Sequence, residues 1–215
     1  MLFLFPGCPP TEKPFPNRFY VFIFNGTGKK CNARRRMSIE KASHLKELCL
    51  IQSSIPTHMN TNIGIPENNR QKVAHELSTL LADEYVLFTK TKNAHWNVEG
   101  ADFYEKHKLF DEQALQLAGA IDTIAERIRT LGFAAPAALK AFLELTRLPE
   151  DSLSPTNSTA FITQLLTDHE TVIAQLRKNI DRFTEEYGDA GTSDFITGLM
   201  QDHEKTAWIL RAHLK

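Results

Sequence analysis

Five side chains between positions 95 and 126 have the types and spacing of metal ligands: His95, His107, Asp111, Asp122 and Glu126. His107 and Asp111 are four residues apart, and so are Asp122 and Glu126. On a helix each pair stands one above the other on one face, where two donors to a single ion must lie. Imidazole with carboxylate suits iron, manganese or zinc. The three cysteines, Cys8, Cys31 and Cys49, all precede position 59. Residues 59–215 therefore have no thiolate with which to close a structural zinc site.

The distance between the two pairs decides how they can be used. Asp111 and Asp122 are eleven residues apart, which returns to nearly the same face but ~16 Å along a helix axis. One ion cannot use both pairs of a single straight helix. Two copies packed antiparallel across a twofold axis would bring the first pair of one beside the second pair of the other, giving two equivalent sites per dimer. The spacing thus predicts a site built between subunits. A di-iron centre inside a bundle uses Glu-x-x-His on a helix. Here Lys92, Tyr104, Leu166, Met200 and Leu210 stand three before His95, His107, His169, His203 and His213, so that pattern is absent.

Helices must hold these residues. Val73, Leu77, Leu80, Leu81, Glu84, Tyr85, Phe88 and Lys92 recur at three and four, predicting a first helix to about Asn97, ended by Gly100. Asp102 with Glu105 resembles a capping box opening the second helix. Phe103, Phe110, Ala114, Leu117, Ile121, Ile124 and Ile128 carry it towards Gly132. Pro136, Pro149 and Pro155 mark a long connection, with a short helix over Ala137–Leu145. A third long helix runs from about Ser158 to Tyr187–Gly188, and a fourth from Thr192 to the end, with Phe195, Leu199, Trp208 and Leu210 as its stripe. No stretch alternates like a strand. The expected fold is all-α: a ferritin-like four-helix bundle with a short helix in the crossover between helices two and three.

Charge divides the chain at Met59. Overall 25 basic residues meet 26 acidic ones, for a net charge of −1. Residues 1–58 hold nine basic and three acidic residues, net +6, whereas 59–215 is net −7. Six of the ten prolines lie in the first piece, whose apolar runs Met1–Phe5 and Tyr20–Phe24 are far short of the ~20 residues a membrane helix needs. No basic residue precedes Met1–Phe5 and Pro6 cuts it short, which argues against a secretory signal. Two readings stand: a poorly ordered basic extension, or translated upstream sequence with the true start at Met59. The domain organisation expected is 1–58 as extension and 59–215 as the bundle.

The run His95-Trp-Asn-Val-Glu-Gly100, then His107-x-x-x-Asp111, then Ile121-Asp-Thr-Ile-Ala-Glu-Arg127 with Leu131-Gly132 resembles the Dps family of mini-ferritins over about 60–215. The resemblance implies a cytoplasmic homododecamer of four-helix bundles around an iron-storage cavity. It also implies ferroxidase sites at the twofold interfaces, where His95, His107 and Asp111 of one chain face Asp122 and Glu126 of another. Fe(II) is then the substrate, with hydrogen peroxide favoured over dioxygen as oxidant. Lys106 departs from the family, which usually has an apolar residue there; its expected effect is on local packing.

Other residues have plainer readings beside sharper ones. His75, His169, His203 and His213 read as surface or satisfied histidines. Trp96 is either a core aromatic or an interceptor of oxidising radicals, and Arg127 reads as an ion-pair partner. Asp189, Asp194, Asp202 and Glu204 read by default as a solvated face; the resemblance makes Asp194 and Asp202 candidates for a cation-attracting pore. Asp168-His-Glu170 and Asp202-His-Glu204 repeat a triplet, but neighbours on a helix point to different sides, so no metal motif is read there. Two rival functions remain: direct DNA binding through the basic extension, which a −7 shell starting at Met59 would oppose, and a structural bundle without chemistry.

Overall fold

Apolar side chains at helical spacing give four long helices and one short one in the computed structural model, which describes residues 61–150 and 157–215. Helix α1 (Glu67–Asn97) and α2 (Phe103–Thr130) form a tight hairpin, α3 (Leu139–Leu145) lies in the crossover, and α4 (Ser158–Asp181) and α5 (Ala190–Ala212) form a second hairpin. Within the bundle α1 packs along α2, α4 packs along α5, and α3 lies against α1. This is the expected all-α bundle. Among the described residues the extended pairing is limited to one parallel bridge between Glu99 and Asn157. That bridge, with a 2.7 Å hydrogen bond from Ser158 Oγ to Asp102 Oδ2, sets the starts of α2 and α4 side by side. The crossover therefore carries the chain back along the bundle, and α4 runs parallel to α2. Among the described residues no helix is long and apolar enough to cross a membrane. The readings of residues 1–58, and of the boundary at Met59, lie outside the described residues.

The stripes meet in one core, in which Leu77, Leu81 and Leu87 of α1, Phe110, Ile124 and Ile128 of α2, and Phe161 and Leu165 of α4 are fully buried. Phe110 and Phe161 meet edge to face, with centroids 6.3 Å apart, an arrangement aromatic rings favour. Two stripe residues do not join the core: Phe103 and Trp208 are exposed. On α5 the buried face runs through Ile196, Leu199, Met200, His203, Ala207 and Leu210, a 3.6-residue period that turns Trp208 outward.

Local contacts set the helix ends. The capping box expected at Asp102 does not form: its side chain caps no backbone N–H. Ser158 Oγ donates to that carboxylate instead, with Lys106 Nζ 3.8 Å away. The Ser158 hydrogen bond holds Asp102 below its ordinary carboxylate value. Lys106 itself is buried, so the unexpected lysine is absorbed by this local pairing. Helix α4 is capped by Asn157, whose Oδ1 accepts from Ala160 N at 2.9 Å, and it passes into a π-helical turn over Arg182–Glu186. Helix α5 starts two residues before the expected Thr192 because Asp189 is its cap, accepting from Thr192 N at 2.9 Å.

After α2 the chain turns at Gly132 with φ of +97°, where a Cβ would lie 2.6 Å from Thr61 Oγ1 and 2.9 Å from Arg70 Nη1. Arg70 Nη1 is committed there, donating to Leu131 O at 2.6 Å. Gly132→Ala is expected to cost about 1–3 kcal/mol, since backbone strain and a steric clash act together. Denaturation of the variant beside the parent checks this; equal midpoints would contradict it.

Candidate metal centre

The hairpin between α1 and α2 places His95, in the last turn of α1, against His107, in the second turn of α2. Their rings stack with centroids 3.9 Å apart and planes 20° apart. His95 Nδ1 lies 2.9 Å from His107 O, and His107 Nδ1 lies 2.8 Å from His95 O. A carbonyl only accepts, so both imidazoles donate from Nδ1 and both keep a free lone pair on Nε2. This reciprocal pairing is how a protein fixes the tautomer and direction of metal-ligating histidines. Phe103 stacks on His107 with centroids 5.2 Å apart, which makes its exposed position useful to the site.

Asp111 lies one turn beyond His107, beside the two rings. Its Oδ1 is 3.7 Å from His95 Nε2 and 3.2 Å from Lys92 Nζ. The Lys92 hydrogen bond, aided by His95 and His107, holds this carboxyl below its ordinary value, so it is ionised at neutral pH. Lys92 was not anticipated as part of the site. Its ammonium occupies one of Asp111's acceptor positions, and an arriving cation would take its place. Lys92 Nζ also sits 5.8 Å from the ring centroid of Trp96. Trp96 is 69% exposed, which rules out the core reading for it within the single chain.

The chain does not bring Asp122 and Glu126 to this place. Both are exposed on α2, which is continuous from Phe103 to Thr130, so the ~16 Å separation along the axis stands. Among the described residues of one chain, no three His, Cys, Asp or Glu side chains close into a cluster ready for an ion.

Arg127 makes the ion pair expected of it, donating from Nη2 to Asp189 Oδ1 at 3.0 Å and from Nε to Thr192 Oγ1 at 2.9 Å. Asp189 is thereby a correction: it is buried as cap and ion-pair partner, not part of a solvated face. Asp194 and Asp202 are exposed on α5, and Glu204 pairs with Arg177. His169 and His203 take the satisfied alternative and not the surface one: they are buried in the bundle with Glu84, and His203 is hydrogen-bonded to Glu84 and to His169. Burial opposes charge on both rings. The Glu84 carboxylate overcomes this for His203, whose pKa is raised. His169, with His203 beside it, is pushed well below the usual histidine value. A glutamate inside the apolar stripe of α1 was the sequence signal for this cluster.

Comparison with known proteins agrees with this architecture. The ferritin-like domain family matches residues 74–215. An uncharacterized low temperature-induced protein of Nostoc sp. is 42% identical over 154 residues, covering 72% of this chain and 86% of the relative. DNA protection during starvation protein 2 of Bacillus anthracis is 35% identical over 144 residues, 67% of this chain and 97% of that protein. Among solved structures, the Dps protein of Vibrio cholerae O1, described as one of a broad superfamily of ferritin-like diiron-carboxylate proteins, superposes with a TM-score of 0.68 at 31% identity, over 73% of this chain and 98% of its own. With this coverage by both sequence and fold, the chain belongs to the ferritin-like family, as a mini-ferritin of the Dps type.

Proposed function

We propose that the chain is a ferroxidase and iron-storage subunit: it oxidises Fe(II) at sites shared between two copies and deposits the ferric product inside a hollow cytoplasmic dodecamer. The observation that carries this reading is the His95–His107 stack, with both Nε2 lone pairs free and an ionised Asp111 beside them. Asp122 and Glu126 of a second copy supply the remaining donors. Their exposure in the single chain supports this role.

The donors divide the work by charge. Neutral imidazoles accept Fe(II) readily, and the hard carboxylates favour Fe(III), lowering the cost of electron loss. Two neighbouring ions each give one electron to hydrogen peroxide. Its O–O bond breaks to two hydroxides, and no hydroxyl radical is released. Lys92, displaced from Asp111, keeps a positive charge beside developing hydroxide. Asp194 and Asp202, on an acidic body, suit cation entry. DNA is then protected by removal of Fe(II) and peroxide, without contact. The second reading, direct DNA binding, rests on the +6 charge of residues 1–58.

Purified protein given Fe(II) anaerobically and then peroxide tests the reading, with assembly mass measured alongside. Fast consumption of two Fe(II) per peroxide by a dodecamer is expected. A ratio near one with radical release, or no binding, would refute it.

A further inference from the structure

Four helices each send one polar side chain to the bundle centre: Glu84 from α1, Gln113 from α2, His169 from α4 and His203 from α5. Their exposures are 0%, 5%, 1% and 3%. His203 links two of them, with Nε2 2.8 Å from Glu84 Oε1 and Nδ1 2.8 Å from His169 Nδ1. Beyond that link His169 Nε2 meets no partner, and neither amide atom of Gln113 meets one. Buried polar atoms are nearly always paired, and exceptions call for a water or an ion. Gln113, His169 and His203 also help to wall a cavity of about 440 Å³ between α2 and α5, with the exposed Asp202 at its solvent side.

The order of donors along this line says what it can do. A carboxylate accepts, so His203 donates to Glu84 from Nε2. His203 Nδ1 can then accept from His169 Nδ1–H, which leaves the lone pair of His169 Nε2 free. That is the carboxylate–histidine support found behind metal-ligating imidazoles, extended by one ring. Glu84, His203 and His169 lie in a row and not around a point, so they make one ligand and its two supports. A buried carboxylate also needs a compensating positive charge.

We propose that His169 Nε2 anchors a divalent transition-metal ion inside the bundle, with Gln113 Oε1 as the second protein donor and cavity water completing the shell. Without the ion, His203 is the imidazolium that compensates Glu84. On loading, its Nδ1 proton passes to His169 Nδ1, the proton on His169 Nε2 leaves to solvent, and the ion takes over the charge compensation while His203 keeps its Nε2–H on Glu84. Imidazole with amide and water oxygens suits Zn(II), Co(II) or Fe(II). None of these residues belongs to the interface set, so the proposal is independent of the ferroxidase reading.

The test uses the assembled full chain carrying His95→Ala and Asp122→Ala, which removes the interface sites. Equilibrium dialysis against Co(II) is expected to retain one ion per chain. Adding His169→Phe should abolish retention, and adding Glu84→Gln should weaken it ~10–100-fold. Zinc-edge anomalous diffraction from the unmodified protein decides the matter even if the His169→Phe chain does not assemble. A peak about 2.0–2.1 Å from His169 Nε2 is expected. No retained Co(II), retention unaffected by His169→Phe, or no anomalous peak at that nitrogen would overturn the proposal.

Discussion

Replacing His95 and Asp122 together by alanine should slow peroxide-driven Fe(II) oxidation by about 100-fold or more, because even outer-shell partners of metal ligands are worth ~10–100-fold. The pair is chosen from the two halves of the proposed site. His95→Ala removes one of two stacked imidazoles and its Nε2 donor, while the Nδ1–H of His107 keeps its acceptor, the carbonyl at position 95. Asp122 is exposed on α2, so its removal leaves the core untouched. Assembly mass should be unchanged, which separates lost chemistry from lost structure. Ferric absorbance after peroxide addition reads the rate directly. Kinetics equal to those of the parent would refute the ligand assignment.

The largest expected loss of stability comes from Asp83→Ala. Asp83 lies in α1 with its side chain 1% exposed, and four donors converge on it from Thr146 and Arg147, directly after α3. Oδ1 accepts from Thr146 Oγ1 at 2.9 Å and from Arg147 N at 2.6 Å. Oδ2 accepts from Arg147 Nε at 2.8 Å and Nη2 at 2.5 Å. Breaking a buried pair from one side usually costs ~3–5 kcal/mol. Arg147 is 26% exposed and can recover some water, so the expected cost is about 2–4 kcal/mol. For a domain of this size that lowers the melting temperature by about 5–15 °C. Asp83→Asn, which keeps an acceptor but not the charge, should fall between. Calorimetry of the three proteins checks the order; an unchanged melting temperature in Asp83→Ala would show that the crossover is held elsewhere.

The helices were legible because their apolar period is a local property, and α1 ends at Asn97 as the spacing predicts. Contacts between distant segments were not. Asp102 and Glu105 carry the letters of a capping box, but Ser158, 56 residues away, competes successfully for the aspartate. The site divides in the same way. His95, His107 and Asp111 can be picked out by type and spacing, whereas the carbonyls that orient both imidazoles and the lysine on Asp111 exist only once the hairpin closes. Neighbour geometry within one helix correctly separates Asp168, His169 and Glu170 onto different sides. It cannot reveal that α4 and α5 bring His169 against His203.

Mixed assembly tests the central claim, a site shared by two chains, most directly. One chain carries His95→Ala and the other Asp122→Ala; each alone should be nearly inactive. In an isologous pair of unlike chains, one of the two sites receives both defects and the other receives none. Random co-assembly at equal amounts should therefore restore about a quarter of the parent rate of Fe(II) oxidation, following from that pairing. Activity that stays at the level of the separate variants would contradict a site built between subunits.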